Sequence, residues 1–246
     1  TVISQAVSFV LLLAGTTRGA NLRVKPRLFR PRFADYREII RGGFPSLCRQ
    51  GLSSLSTICL NFTAGVFGGD AAIAGMAVAT RITHLAFAAL LGFGQGFQPV
   101  CGFNYGAGLY KRVKEGFWFC VKVSFIILVV IGALGFLFSS NLISLFRDDP
   151  DVIEIGSVAL RFQCVFFFGQ SWIIMSNMMQ QSMGRTLPAT FLSVARQGLF
   201  FIPMVLILPA FWGILGIQMA QSAADVLTLL CAIPIQLSVL KSLPDQ

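Results

Sequence analysis

Long, continuously apolar segments constrain the fold of this sequence more than any other feature. Six of them exceed the roughly 20 residues that a helix needs to cross a lipid bilayer. They occupy residues 39–67, 71–104, 117–138, 152–179, 187–211 and 214–240. The segments lack the alternation of polar and apolar residues that a transmembrane β-barrel requires. The sequence therefore predicts an all-α, polytopic membrane helical bundle with six full transmembrane helices.

The composition and charge distribution indicate a lipid environment. The chain is 55% hydrophobic and only 12% charged, whereas soluble domains carry about 25% charged residues. The formal net charge is +9, but the basic residues fall in short clusters between apolar segments. Such clusters are typical of loops that contact anionic lipid headgroups. We therefore expect the lipid bilayer as a partner and do not expect nucleic acid.

The region before the first full span predicts two further parts of the protein. Residues 2–14 are apolar but too short to cross a bilayer, which indicates that the chain begins partway through a helix and is a fragment. We therefore assign residues 1–16 to the end of a transmembrane helix. Residues 17–38 are rich in arginine and contain Pro26 and Pro31, which predicts a cytoplasmic loop joining two helical bundles. Residues 39–246 then form one six-helix lobe.

The alternation of basic residues between loops predicts the topology. Seven Lys and Arg residues precede the first full span, none lies near residues 68–70, and the next loop holds Lys111, Arg112 and Lys114. Basic residues mark cytoplasmic loops in membrane proteins. The basic loops and the C-terminus are therefore expected to face the cytoplasm of a plasma membrane.

Four charged residues lie deep inside the predicted spans. They are Arg81, Arg161, Arg196 and Asp225. Charge at this depth is costly and must face protein or water, which predicts a buried charge network. Two interpretations of Asp225 remain open: it pairs with Arg196 or Arg81 to hold the bundle together, or it takes up a proton or a cationic group. The first is favoured, because a carboxylate beside arginines stays ionised.

Neutral polar residues are also frequent within the spans. Ser53, Ser56, Thr57 and Asn61 fall at helical spacing on one face. Interhelical hydrogen bonds account for some of these groups, and a hydrated cavity accounts better for their number. The candidate cavity residues are Gln50, Ser53, Asn61, Gln170, Ser171 and Asn177.

The sequence contains no recognisable catalytic or metal-binding constellation. The chain has one histidine, His84, and its six cysteines lie in or beside apolar segments without a C-x-x-C pair. No nucleotide-binding loop or nucleophile elbow is present. We therefore expect neither an enzyme nor a metal site nor a bound cofactor.

One motif resembles a known family. Residues 92–113 read GFGQGFQPVCGFNYGAGLYKRV and are similar to the G-x-x-Q-x-x-Q-P-x-x-G-Y-N-Y-G-A element of the multidrug and toxic compound extrusion (MATE) family. Residues 43–47 and 192–209 agree with this resemblance, which covers essentially the whole chain and is closest to the MepA-type subgroup. The motif residues expected at the cytoplasmic end are Gln95, Gln98, Pro99, Asn104, Tyr105 and Gly106.

The resemblance implies one half of a twelve-helix exporter with two six-helix lobes. The chain would hold the end of helix six, the interlobe loop and helices seven to twelve, and the N-terminal lobe would be its missing partner. The implied function is secondary active efflux of cationic or lipophilic drugs and toxins in exchange for Na⁺ or H⁺.

The sequence departs from this family where NorM-type members carry acidic residues in helices seven and ten. Ser53 and Gln170 stand near those positions here, so a coupling carboxylate is expected in the N-terminal lobe. The alternative function is a lipid-linked oligosaccharide flippase or polysaccharide exporter of the same superfamily, in which the deep arginines bind anions. An intramembrane enzyme is a third alternative, and the sequence offers no nucleophile and base for it.

Overall fold

The computed structural model describes residues 2–18 and 33–244, and the chain divides into two units. The first, Thr1–Ile40, contains helix α1 (Val2–Arg18) and the start of α2 (Phe33–Gly106). Residues 19–32, which make up most of the predicted loop, lie outside the described residues. Helix α2 begins six residues before the predicted first span, and Asp35 in its first turn interacts favourably with the helix dipole.

The second unit, Arg41–Gln246, is a bundle of helices. After α2 come α3 (Tyr110–Leu137), α4 (Ser139–Ser144), α5 (Pro150–Val165), α6 (Gly169–Ser182), α7 (Thr186–Val194), a π-helical segment (Ala195–Phe200), α8 (Phe201–Trp212) and α9 (Ile214–Lys241). Helix α9 packs against α5, α6 and α8, and α3 packs against α5 and α6. No strand occurs within residues 2–18 and 33–244, and the predicted all-α class is confirmed.

Helix α2 is broken at Gly69, where the backbone has φ 62° and ψ −156°. Without the break its 74 residues would extend about 110 Å at 1.5 Å per residue, far beyond a bilayer core. Glycine adopts positive φ without the steric penalty of a side chain. Gly65 lies against Ile73 across the break, and Leu60 and Met76 share one buried cluster. The break therefore divides α2 into two arms, residues 33–68 and 70–106, which pack against each other beside Gly69. They are called the first and second arm of α2 below.

The segment predicted as one span over residues 152–179 is bent. Helices α5 and α6 meet at an angle of 62° across residues 166–168, so a continuous helix was the wrong expectation. The amide of Phe167 donates to the Cys164 oxygen, and that of Gln170 donates to the Phe167 oxygen. These hydrogen bonds join residues three apart, as in a 3₁₀-helix, and tighten the chain into a turn. At the other end of α5, Asp149 caps the helix by accepting from the Asp151 amide.

The bundle has the length and apolarity of a multi-pass membrane protein. Four described helical stretches are long and apolar enough to cross a membrane, or five when the bent pair α5 and α6 counts as one span. One of the four, Ser46–Gly106, contains the break at Gly69. Counting its two arms separately gives the six spans that the sequence predicts.

Candidate functional site

A cavity of about 280 Å³ opens within the second unit. Both arms of α2, helices α5, α8 and α9 and the π-helical segment line it, so most of the bundle contributes. Its polar lining residues are Arg49, Gln50, Ser53, Ser56, Thr57, Thr80, Thr83, His84, Gln163, Arg196, Gln197, Gln221 and Asp225. A polar cavity inside apolar helices gives costly side chains access to water, as the sequence predicts.

An ion pair between Arg196 and Asp225 stands at the edge of this cavity. Arg196 Nε donates to Asp225 Oδ1 at 3.0 Å, and both side chains are largely buried, with 15% and 12% exposed. Gln221 Nε2 donates to the same carboxylate oxygen at 3.1 Å. The Arg196 guanidinium also lies 4.8 Å from the centre of the Phe87 ring, within the range of a cation–π contact. This is the pairing expected for Asp225.

The π-helical segment holds Arg196 and Gln197 at the cavity. A π-helix adds a residue to the turn, displaces side chains and leaves backbone carbonyls with altered partners. The Gln197 carbonyl accepts a hydrogen bond from Ser56 in the first arm of α2, so a side chain of another helix satisfies it. The segment is therefore tied to α2, and its geometry fixes which way Arg196 points.

The predicted charge network is wrong in two of its four members. Arg81 is exposed and does not line the cavity. Arg161 is also exposed, donates from Nε to the Ser139 hydroxyl at 2.8 Å and lies 5.9 Å from the Phe136 ring centre. Residue counting gives depth along a helix, but the direction of a side chain depends on helix rotation. Of these four residues, Arg196 and Asp225 form the observed pair.

The six candidate cavity residues separate into three groups. Gln50 and Ser53 line the cavity. Asn177 lines a side pocket of about 30 Å³ and donates to the Ala189 oxygen at 2.6 Å. Asn61 is exposed outside both, and Gln170 and Ser171 are buried away from them. The prediction of a place in the cavity is therefore wrong for Asn61, Gln170 and Ser171.

Gln170 has a distinct environment. Only 1% of it is exposed, and neither atom of its side-chain amide has a hydrogen-bond partner among the described residues. Ser171 instead donates to the Phe168 oxygen at 2.7 Å, within the bend between α5 and α6. The bend redirects this stretch of polar side chains into the interior of the bundle.

Several lining residues were not among those predicted from the sequence. Thr80, Thr83, His84 and Phe87 line the cavity from the second arm of α2, and their spacing places them on one helix face. That spacing was visible in the sequence. Arg49 was not singled out either, and it lines both the cavity and the side pocket. Among residues 2–18 and 33–244, no three His, Cys, Asp or Glu side chains are grouped to hold a metal ion.

The motif residues of α2 contribute to packing at one end of the bundle. Gln98 Nε2 donates to Gln181 Oε1 at 3.1 Å, and Gln181 Nε2 donates to the Ser46 hydroxyl at 3.0 Å. This chain of hydrogen bonds joins both arms of α2 to α6. Gln95 and Pro99 are exposed and Gly106 ends α2.

The end of the motif forms a local turn. Asn104 donates to the Val100 oxygen at 2.8 Å, and its own carbonyl accepts from Leu109 at 2.9 Å. The rings of Tyr105 and Tyr110 meet edge to face at 5.7 Å. These contacts shape the turn that leads into the basic residues at the start of α3.

Comparison with known proteins identifies the family of the chain. Residues 45–207 match the family model described as MatE. The multidrug export protein MepA of Staphylococcus aureus (strain MSSA476) is 22% identical over 232 residues, which cover 94% of this chain and 50% of MepA. The "Probable multidrug resistance protein NorM" of Thermotoga maritima is 25% identical over 201 residues, which cover 79% and 42%. The chain spans about half the length of these curated relatives.

Solved structures share the fold. The outward-facing form of a multidrug resistance MATE family transporter of the MOP superfamily superposes with a TM-score of 0.89 at 21% identity, covering 98% of this chain and 55% of that one. A MATE crystal structure in the straight conformation gives 0.88 at 22% identity, with 98% and 55% covered.

Proposed function

Because this chain belongs to the MatE family of multidrug and toxic compound extrusion transporters, we propose that it is the C-terminal lobe of a secondary active multidrug exporter. The observation that carries this proposal is the polar cavity of about 280 Å³ inside an apolar helical bundle. Broken helices around such a cavity suit alternating access. The proposal gives the chain a role in binding and moving compounds, with no catalytic step.

The proposed substrates are cationic or lipophilic drugs and toxins, expelled in exchange for Na⁺ or H⁺. The names of MepA and NorM denote multidrug export and multidrug resistance, which supports drugs as the substrates. Asp225 is already engaged by Arg196 and Gln221, and Gln170 is not acidic. We therefore assign the coupling carboxylate to an N-terminal lobe beyond this chain, and the site of action to the plasma membrane with a cytoplasmic C-terminus.

A second candidate function is the export of lipid-linked oligosaccharides or polysaccharides. Arg49 and Arg196 in the cavity lining favour it, since arginine is well suited to recognising phosphate groups. The MATE-like motif of residues 92–113, with its turn at Asn104 and Tyr105, favours the drug exporter.

Transport by the complete protein in proteoliposomes distinguishes the two functions. We expect ethidium to move against its gradient when an inward Na⁺ or H⁺ gradient is imposed, and to stop moving when an ionophore collapses that gradient. Imposing each ion gradient separately identifies the coupling ion. Movement of a fluorescent lipid-linked sugar without movement of ethidium would instead establish the second candidate.

Replacing Gln50 by leucine should change the order in which drugs are preferred. The Gln50 amide lines the cavity, and a neutral hydrogen bond contributes about 0.5–1.5 kcal/mol, so KM for individual drugs should shift by roughly two- to tenfold. Minimum inhibitory concentrations for a panel of drugs measure the order of preference.

Asn61→Leu is the matched control for Gln50→Leu, because Asn61 lies on the same arm of α2 outside the cavity. It should leave the panel unchanged. Equal changes in the drug panel for the two variants would show that the cavity does not recognise the drugs.

A further inference from the structure

Arg49 is a cation without a counter-charge in the described part of the chain. It lies on the first arm of α2, is half-buried and lines both the cavity and the side pocket. No ion pair or hydrogen bond of its guanidinium occurs among residues 2–18 and 33–244. Charge within a membrane bundle is costly unless a partner or water meets it. Water in the cavity reaches this charge, but the described part of the lobe supplies no anion to neutralise it.

The remaining charges of the cavity do not meet this need. Asp225 contributes a negative charge to the lining, and its Oδ1 atom already accepts from Arg196 and from Gln221. Arg196 adds a second positive charge, so the lining keeps a net charge of +1 with His84 neutral. Two guanidinium groups that line one cavity repel each other. An anion that enters the cavity would relieve this repulsion.

We infer that the cavity binds an oxyanion, a carboxylate or phosphate carried by an amphipathic compound, with Arg49 as its counter-charge. This inference rests on the proposed function, since it names a chemical class of substrate for the same cavity. The planar guanidinium of Arg49 matches the two oxygens of such a group with parallel hydrogen bonds. Phe87, which lines both pockets, adds apolar surface for the body of the compound.

The side pocket gives the compound an apolar contact next to the charge. Ile173, Ile174 and Leu192 line it together with Arg49, and its volume of about 30 Å³ suits one small apolar substituent. An acidic group at Arg49 therefore places an adjoining apolar group at these side chains. A permanent cation without an acidic group gains nothing from Arg49.

A matched pair of fluorescent dyes tests this inference. Rhodamine 110 carries a free benzoate, and rhodamine 123 is its methyl ester, so the two differ in the carboxylate alone. In the complete transporter in detergent, Arg49→Gln should weaken binding of the acid roughly tenfold, the lower range for a charged hydrogen bond. It should change binding of the ester less than about twofold. Fluorescence polarisation measures both affinities.

Two further variants make the test specific. Arg49→Lys keeps the charge and loses the planar pair of donors, so the affinity for the acid should fall between wild type and Arg49→Gln. Arg81→Gln is the matched control, because Arg81 is exposed outside the cavity, and it should leave both dyes unchanged. Equal losses for acid and ester, or no loss for either, would overturn the inference. A lower melting temperature of Arg49→Gln with an unchanged acid-to-ester ratio would also overturn it, since Arg49 would then serve a structural pair.

Competition identifies the source of the oxyanion. If undecaprenyl phosphate displaces rhodamine 110 and this displacement depends on Arg49, the oxyanion is a lipid headgroup. If undecaprenyl phosphate does not displace rhodamine 110 and the site still binds the acid more tightly than the ester, the oxyanion belongs to a soluble acidic compound. Arg49-dependent binding of the acid without gradient-driven transport of either dye or of ethidium would refute the exporter and leave the oxyanion site standing. The experiments can therefore refute the exporter and the oxyanion site independently of each other.

Discussion

Replacement of Asp225 by asparagine should destabilise the complete transporter by about 2–4 kcal/mol, somewhat below the 3–5 kcal/mol that breaking a fully buried ion pair costs. The carboxylate holds Arg196 Nε at 3.0 Å, and the two side chains are 12% and 15% exposed. Without it, the guanidinium keeps its charge and loses its partner. We expect a fall in melting temperature of roughly 5 °C or more, together with lower expression, measured by heating detergent-purified protein before size-exclusion chromatography.

A double-mutant cycle and a surface control establish that the effect belongs to the pair. Arg196→Gln combined with Asp225→Asn should cost less than the sum of the single changes, because neither charge is then left alone. Asp149→Asn alters an exposed pair with Arg147 at 3.9 Å and keeps a residue type that caps helices, so it should cost below about 1 kcal/mol. A stable Asp225→Asn protein that no longer depends on Na⁺ or H⁺ would assign Asp225 to coupling instead.

The location of the spans could be predicted because bilayer thickness sets helix length. The break at Gly69 was also visible, since the Gly-Gly-Asp sequence of residues 68–70 interrupts two apolar segments. The bend at residues 166–168 was not, because three consecutive phenylalanines fit an apolar helix as well as a turn. The π-helical segment at Ala195–Phe200 has no composition that distinguishes it from α-helix.

The sequence predicts how deep the charged residues of the candidate site lie along their helices. It predicts only partly which way their side chains point. Residue counting placed Arg81 and Arg196 at similar depths, and only Arg196 turns toward the cavity. The added residue in the π-helical turn contributes to that difference, since it rotates the following side chains. Asp225 was correctly expected to pair with an arginine, because a deep carboxylate needs a cation wherever it points. Arg49 lies inside the first full span, but it was not among the deep charged residues that the sequence pointed to.

Replacement of Gly216 by alanine should destabilise the protein by about 3 kcal/mol, at the upper end of the usual cost of overpacking. A methyl group at Gly216 would lie within 3.0 Å of the Leu208 carbonyl group and of the Pro209 nitrogen, at 2.6 Å from the latter. These are backbone atoms and cannot move aside as the end of a side chain can. The last turn of α8 approaches α9 this closely because Gly213, with φ 55°, reverses the chain between them.

Gly96→Ala provides the matched control with the opposite expected sign. Gly96 lies within α2, and an added methyl group meets nothing within 4 Å. Alanine in an open helical position gains about 0.5–1 kcal/mol over glycine, so this variant should melt at or slightly above the wild-type temperature. Gly216→Ala should melt several degrees lower, because separating α8 from α9 also disturbs the contacts of α9 with α5 and α6. Equal melting temperatures for Gly216→Ala and wild type would show that the two helices are not in backbone contact in the membrane protein.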